Sequence, residues 1–173
     1  MYKLREIERR DISVINKWRN DVELAKNLGG GYRFIGEEVD NAWFDRYLQS
    51  RSNSVRLAIT TDEDDMILGC VYLLNIDNIN LSADLHIMIG DKCNRGKGLG
   101  TFAVTSVVEH AFYNLNLRRI QLEVLDYNST ARALYRKIGF QEEGIKRKAV
   151  YKNGDYVDEL IMALLREDYQ RKA

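Results

Sequence analysis

Residues 94–101 read NRGKGLGT, and this glycine-rich stretch lies between two segments of different periodicity. Before it, SADLHIMI (82–89) is rich in β-branched and apolar residues, which favours a strand. After it, apolar residues recur at three- and four-residue steps from Val104 to Leu115, which predicts a helix of about four turns. The glycines are therefore expected at the N-terminus of a helix that follows a strand.

The spacing of the glycines excludes two common phosphate-binding loops. A P-loop needs four residues between its glycines and a Ser or Thr after its Lys, whereas five residues separate Gly90 from Gly96 and Gly98 follows Lys97. A dinucleotide-binding fingerprint is formally matched from Gly98 to Ala103. That fingerprint begins directly after its strand, however, and here eight residues intervene.

The remaining pattern is R-x-x-G-x-G, which runs from Arg95 to Gly100. In such a loop backbone N–H groups can face a ligand, and the helix dipole adds about half a positive charge. Arg95 and Lys97 supply two cations. This arrangement suits a pyrophosphate, although the loop alone would also fit a tight glycine turn with solvated cations.

Strands and helices are predicted on both sides of this unit. After a strand at 2–7, Asp11 is expected to cap a helix that ends near Leu28, and a second helix starts around Gly36. The later elements are an antiparallel meander at 55–60, 66–76 and 82–89, a strand at 119–125, a helix at 128–138, and a hairpin that turns at Asn153-Gly154.

Composition points to a small partner for a single domain spanning residues 1–173. Lys plus Arg and Asp plus Glu both number 26, which gives no basic field for nucleic acid or a membrane surface. Signal-peptide and membrane-spanning patterns are lacking, so a cytoplasmic location is expected. Cys70 and Cys93 lie in no Cys/His cluster, and no metal site is expected.

A second motif, NSTARALYRKIGF (128–140), follows the glycine loop. Together the two motifs resemble the GNAT superfamily of acetyl-CoA-dependent N-acetyltransferases, with its Q/R-x-x-G-x-G/A loop and N-x-x-A-x-x-x-Y-x-x-x-G-F helix in the same order and spacing. The resemblance covers nearly the whole chain. It implies an α/β (α+β) fold with a mixed, mostly antiparallel sheet, a splayed parallel strand pair and flanking helices.

The resemblance also implies acetyl-CoA as co-substrate, without a metal. The glycine loop would bind the coenzyme pyrophosphate, and the pantetheine arm would enter the opening between the splayed strands. The acetyl carbonyl would accept a backbone N–H near Ile89. Asn128 would hold the pantetheine, or serve only as a helix N-cap. The coenzyme-binding residues expected in this way are Ile87, Met88, Ile89, Arg95, Gly96, Lys97, Gly98, Leu99, Gly100, Thr101 and Asn128.

The general acid implied by the resemblance is Tyr135. A phenol with a pKa of about 10 can protonate a thiolate whose conjugate acid lies near 8.5 without ionising itself at neutral pH. The alternative role is core packing, since Ala131, Leu134 and Ile138 share its helical face.

Candidates for the base lie on the strand before the glycine loop. A period of two places Asp84 and His86 on one face of that strand. Asp84 falls where many relatives carry a Glu that relays a proton through water, and His86, with an ordinary pKa of about 6.5, could act directly. Glu123, on the neighbouring strand, is an alternative. A structural role for each, or binding of the neutral amine without a base, also fits the sequence.

Cues to the acceptor amine conflict. The C-terminal segment from Tyr151 is similar to that of spermidine and ribosomal-protein acetyltransferases, whereas NKWRND (16–21) is similar to that of nucleotide-linked amino-sugar acetyltransferases. A small-molecule primary amine is favoured, with a protein N-terminus or a non-catalytic acyl-CoA sensor as alternatives, and a homo-oligomer is compatible with the terminal hairpin. Acidic residues that could attract a polyamine are Glu37, Glu38, Asp40, Asp155, Asp158 and Glu159.

Overall fold

A seven-stranded mixed sheet forms the centre of the protein, as seen in a computed structural model that describes residues 1–169. The strand order is β1-β2-β3-β4-β5-β7-β6, and every neighbouring pair is antiparallel except β4–β5. This confirms the expected fold class. The strands are β1 Tyr2–Glu6, β2 Val55–Thr61, β3 Gly69–Asp77, β4 Ser82–Ile89, β5 Arg119–Leu125, β6 Gln141–Lys152 and β7 Asp155–Leu165.

Helices cover both faces of this sheet and bury two separate apolar clusters. One face packs against α4 and α5, and the opposite face packs against α1, α2 and α3. The first face carries the larger cluster, which includes fully buried Val107 and Phe112. The helices are α1 Ile12–Arg19, α2 Val22–Ala25, α3 Glu37–Gln49, α4 Leu99–Glu109, with a π-helical continuation at His110–Asn114, and α5 Ser129–Ile138.

The expectation of one N-terminal helix ending near Leu28 is wrong, because the chain breaks at Asp21. Its side chain accepts hydrogen bonds from the N–H groups of Glu23, at 2.8 Å, and Leu24, at 3.2 Å, and so begins a new helix. Side-chain capping of this kind competes with continuation of the preceding helix. Apolar spacing alone gave no sign of this competition.

Asp11 was expected to cap α1, and this expectation is also wrong. The residue is 3% exposed, and its carboxylate forms a two-pronged ion pair with Arg5, with N···O distances of 2.7 and 2.8 Å. One of its oxygens also accepts the N–H of Glu8 at 2.8 Å. A buried carboxylate needs such partners, so the side chain ties the turn before α1 to β1 instead of capping the helix.

The parallel strands β4 and β5 are paired only at one end. Their register joins Ser82–Asp84 to Arg119–Gln121 and then stops, although β4 continues to Ile89 and β5 to Leu125. The expected splayed pair is therefore present, and it leaves a gap between the two strands beyond Asp84.

The end of β4 is held by a close approach to α1. A β-carbon at Gly90 would lie within 2.5 Å of three atoms of the Trp18 indole, whose Nε1 donates to Asp91 Oδ1 at 3.3 Å. Glycine at position 90 therefore allows α1 to lie directly on the strand end that leads into the glycine loop.

We expect Gly90→Ala to lower the free energy of unfolding by about 1–3 kcal/mol, the usual cost of overpacking. The added methyl group would overlap the Trp18 ring. Denaturant titration followed by circular dichroism measures the loss. Gly31→Ala is the control, since a β-carbon there meets no atom of the described part of the chain within 4 Å. Equal stability of the two variants would contradict the packing argument.

Candidate active site

Two glycines of the loop at 94–101 adopt left-handed backbone conformations. Gly96 has a φ of 75° and Gly98, the N-cap of α4, a φ of 84°. A β-carbon at either position would meet nothing within 4 Å among residues 1–169, so open space lies in front of the backbone. The glycines thus serve the backbone path and leave room for a ligand.

The first turn of α4 points unpaired N–H groups out of the helix end. The first intrahelical bond runs from Phe102 N–H to the Gly98 carbonyl at 3.0 Å, so the N–H groups of Leu99, Gly100 and Thr101 have no acceptor within the helix. The side chain of Leu99 is 2% exposed, and a β-carbon at Gly100 would lie 2.9 Å from Leu134 Cδ1. Leu99 and Gly100 can therefore offer a ligand only their backbone.

The loop is braced from two directions. Arg95 Nη2 donates to the Gly90 carbonyl at 3.0 Å, and the Tyr2 hydroxyl donates to the Lys97 carbonyl at 3.0 Å. Arg95 thus helps to shape the loop in addition to placing a cation beside the helix N-terminus. The loop and the start of α4 thus have the backbone arrangement that is typical of anion sites at helix N-termini.

Backbone N–H groups line the β4 side of the gap. Gly90 N–H donates to the Leu68 carbonyl at 3.1 Å, so the backbone N–H groups of even-numbered β4 residues point toward β3. Because an antiparallel ladder alternates, the N–H groups of Ile87 and Ile89 point away from β3 and into the gap. Met88, between them, pairs with β3 and packs against the cluster under α1. Its backbone is therefore directed away from the gap.

Asn128 acts as the N-cap of α5. Its side-chain oxygen accepts the Ala131 N–H at 3.2 Å, and its amide nitrogen donates to the Asn27 carbonyl at 3.2 Å. The cap role raised from the sequence is thus observed. The same side chain also holds the loop after α2 against the start of α5.

Tyr135 lies in the cluster on the α4 face, 7% exposed, with its ring centroid 5.8 Å from that of Phe140. Burial raises the pKa of Tyr135 to about 12, so the phenol keeps its proton at neutral pH. No protein atom in residues 1–169 accepts or donates a hydrogen bond at its hydroxyl. The structure therefore shows the packing role, together with a protonated hydroxyl that has no hydrogen-bond partner within residues 1–169.

Asp84 and His86 share the opposite face of the sheet, as the period of β4 predicted. Both carboxylate oxygens of Asp84 accept amide hydrogens at 2.8 Å, one from Gln121 and one from Asn75. Partial desolvation lowers the pKa of His86 below its ordinary value of 6.5, against the opposing effect of Asp84 and Glu123. The imidazole is therefore mainly neutral at neutral pH and able to accept a proton.

The acid and base candidates lie on different sides of the sheet. Tyr135 belongs to the cluster on the α4 face. The even-numbered residues of β4, Asp84 and His86 among them, lie on the other face, where Met88 packs toward α1 and α3. The gap between β4 and β5 is the place where the two faces meet. A group in the gap could thus be protonated from one face and approached by a nucleophile from the other.

Glu159 is the residue whose position the sequence did not reveal. Expected among the surface acids, it is 6% exposed and lies on β7 directly opposite Leu125 of β5. Desolvation, followed by a hydrogen bond with Glu123, raises the pKa of Glu159 to about 7. The pKa of Glu123 is lowered, chiefly by its hydrogen bond with Lys146. Period two places Glu159 and Ile161 on one face of β7, but it cannot show what covers them.

The cover is the glycine-rich loop after α2. A β-carbon at Gly29 would lie 3.1 Å from Glu159 Oε1. Lys152 Nζ donates to the carbonyls of Ala25, at 2.9 Å, and of Gly30, and the Tyr127 hydroxyl donates to the carbonyl of Lys26. These bonds fix the loop over the ends of β5 and β7.

Asp40 does not belong to an acidic surface. It is fully buried and forms an ion pair with Arg19, and it accepts the Asn16 amide at 2.8 Å. Asn20 also binds the backbone of Ile35, with its oxygen accepting that N–H at 2.9 Å. Segment 16–21 therefore holds the loop before α3, which explains its polar residues without an amino-sugar ligand.

Within residues 1–169, no helix is long and apolar enough to cross a membrane, and no group of three or more His, Cys, Asp or Glu side chains is arranged to hold a metal ion. Both cysteines are free, with Cys70 buried and Cys93 exposed.

We expect Asn128→Ala to lower the free energy of unfolding by about 1 kcal/mol, the usual cost of losing an N-cap. Asn128→Asp keeps the oxygen that accepts the Ala131 N–H and removes only the donor to Asn27. The loss of stability in Asn128→Asp should therefore be smaller than that in Asn128→Ala. Urea titration of both variants measures the difference, and equal losses would contradict the cap assignment.

Comparisons with known proteins agree with this architecture. A family model for the acetyltransferase (GNAT) domain matches residues 2–141. The Bacillus subtilis protein named probable N-acetyltransferase YjcK is 36% identical over 118 residues, which are 68% of this chain and 65%, just under two thirds, of that protein. The spermidine N(1)-acetyltransferase of Escherichia coli K12 is 28% identical over 173 residues, covering 96% of this chain and 87% of that protein.

Among solved structures, spermidine N-acetyltransferase from Vibrio cholerae in complex with CoA and spermine superposes with a TM-score of 0.90 at 26% identity, over 97% of each chain. Strand order and motifs had indicated the same relationship. The family match over most of its length shows that this chain belongs to the GNAT family of acetyltransferases.

Proposed function

We propose that the protein transfers the acetyl group of acetyl-CoA to a primary amine of a polyamine such as spermidine. The observation that carries the proposal is the likeness, over 97% of both chains, to a spermidine acetyltransferase solved with CoA and spermine. The carboxylates of Asp84 and Glu123 beside the gap support a cationic acceptor. The free cysteines are consistent with the cytoplasmic location expected from the sequence.

The coenzyme would bind along features already described. Its pyrophosphate would accept hydrogen bonds from the N–H groups at the start of α4, beside Arg95 and Lys97. The pantetheine arm would fill the gap between β4 and β5. There the N–H groups of Ile87 and Ile89 could bind the thioester carbonyl and stabilise the oxyanion that forms during transfer.

The chemistry would use both faces of the sheet. The neutral amine attacks the thioester carbon from the face that carries Asp84, His86 and Glu123, and this polar group takes the proton that nitrogen loses. Collapse of the tetrahedral intermediate breaks the C–S bond, and Tyr135 gives its proton to the departing sulfur. The phenol then recovers a proton from solvent.

We expect Tyr135→Phe to lower kcat for thiol release from acetyl-CoA in the presence of spermidine by about 100-fold, the lower range for general acid catalysis. The ring and its packing against Phe140 remain, so CoA affinity and thermal stability should stay close to those of the parent protein. A full rate in this variant would remove Tyr135 from the mechanism. Turnover with amino sugars or peptide N-termini, and none with polyamines, would overturn the acceptor assignment.

Gly98→Ala should weaken CoA binding about tenfold or more, because a β-carbon at φ 84° costs about 1–2 kcal/mol and displaces the N–H groups. Gly154→Ala is the matched control. It has a φ of 94° and similar open space, but it lies in the β6–β7 turn. Calorimetric titration with CoA should show a loss for Gly98→Ala alone, and equal affinities would contradict the loop assignment.

A further inference from the structure

Two carboxyl groups lie on neighbouring strands, on the face of the sheet that carries Asp84 and His86. Glu159 of β7 is opposite Leu125 of β5, so it lies on the same face as Glu123, two residues earlier along β5. The two side chains are close enough for each to alter the pKa of the other. Two carboxylates that lie close together repel each other unless a proton is held between them.

Glu159 is enclosed, whereas Glu123 is half exposed. Gly29 lies against the Glu159 carboxyl, and Lys146 of β6 is opposite Glu159 and forms an ion pair with Glu123. The side chain of Glu123 is 48% exposed. The inner carboxyl is thus shielded from solvent and the outer one is open to it, and because each alters the pKa of the other the two titrate as a pair.

This pair lies at the start of the gap. The last paired residues of β4 and β5 are Asp84 and Gln121. Two residues further on, His86 and Glu123 occupy equivalent positions on the same face, one on each side of the opening. Glu123 therefore borders the space in which an amine would meet the thioester, and Glu159 lies behind it.

We propose that Glu123 and Glu159 together accept the proton of the attacking amine, with Glu123 bordering the amine and Glu159 acting as a positioning residue behind it. This inference rests on the proposed function. In the step, the neutral amine attacks the thioester carbon, an N–H bond of the resulting ammonium breaks, and an O–H bond forms on Glu123, with the proton shared with Glu159. The electron pair of the broken N–H bond stays on nitrogen and becomes the lone pair of the amide.

The surrounding charges set the direction of the pH dependence. Lys146 and Lys152, both on β6, favour the ionised pair. Asp84 on β4 disfavours ionisation of the pair. His86 lies across the gap. Lys26 of the covering loop is paired with Glu23.

Asp158, next along β7, accepts the Lys148 N–H, so the pair's charge is set mainly by the two lysines and Asp84. The pKa of Glu159 is raised to about 7. Both carboxyls are therefore ionised, and the pair competent as a base, at pH values above about 7, and the charge of Glu159 is lost as the pH falls through about 7.

The test is the pH profile of kcat/KM for acetyl transfer to spermidine. The parent protein should show a limb that rises with pH near 7. Glu159→Gln should remove that limb and lower the rate at pH 8 about tenfold, a modest part of what a general base contributes. Lys146→Met should move the limb to higher pH, because the ionised pair loses a cation. A purely structural role for these residues would not move the limb in a defined direction.

Glu142→Gln is the matched control. Glu142 lies on β6 and is bound by Arg132 and Arg136, away from the gap. Its profile should coincide with that of the parent protein. An unchanged limb in Glu159→Gln, or a limb that disappears in His86→Asn instead, would overturn the proposal.

Titration of the glutamate carboxyl carbons by ¹³C NMR tests whether the two carboxyls share a proton, and it requires no turnover. One carboxyl resonance should titrate near pH 7, move upward in Lys146→Met and vanish in Glu159→Gln. If polyamines are not acetylated while this resonance is present, the proposed acceptor fails and the carboxyl pair stands. If every glutamate titrates below pH 5.5, the pair is refuted even where spermidine is acetylated.

Discussion

The protein depends on a break in its own hydrogen bonding. β4 and β5 pair for three residues each and then separate, which leaves strand backbone on β4 with N–H groups that no neighbouring strand accepts. Backbone groups of this kind need partners, and an extended ligand with amide groups can supply them. The close contact of Trp18 with Gly90 and the braces on the glycine loop hold β4 in this open position.

The gap also divides the chemistry between two environments. On the α4 face the surroundings are apolar, so a phenol there stays protonated. On the other face, carboxylates, an imidazole and lysines lie close enough to alter one another's ionisation. An acid that must keep its proton and a base that must accept one are easier to accommodate in separate environments than in one.

The sequence was sufficient for features determined by local chain geometry. The glycine loop, the capped helix that carries Tyr135, the two faces of β4 and the Asn153-Gly154 turn all follow from fixed spacings. What it could not show depended on distant contacts. Asp21 breaks a helix that apolar periodicity had joined, and Glu159 is buried by a loop about 130 residues earlier in the chain. Asp40 is similar, since its contacts with Arg19 and Asn16, both distant in sequence, distinguish it from a surface acid.

Lys152 connects segments from the two ends of the chain. Its ammonium group joins the terminal hairpin to carbonyls 127 and 122 positions earlier, at Ala25 and Gly30. The proposed coenzyme site is built from residues 87–135, whereas the proposed acceptor face adds Glu159 and the loop at Gly29, from the two ends of the chain, to Asp84, His86 and Glu123. Substitutions in the ends can therefore alter the amine side without altering the residues of the coenzyme site, so that one scaffold can diversify in its acceptors.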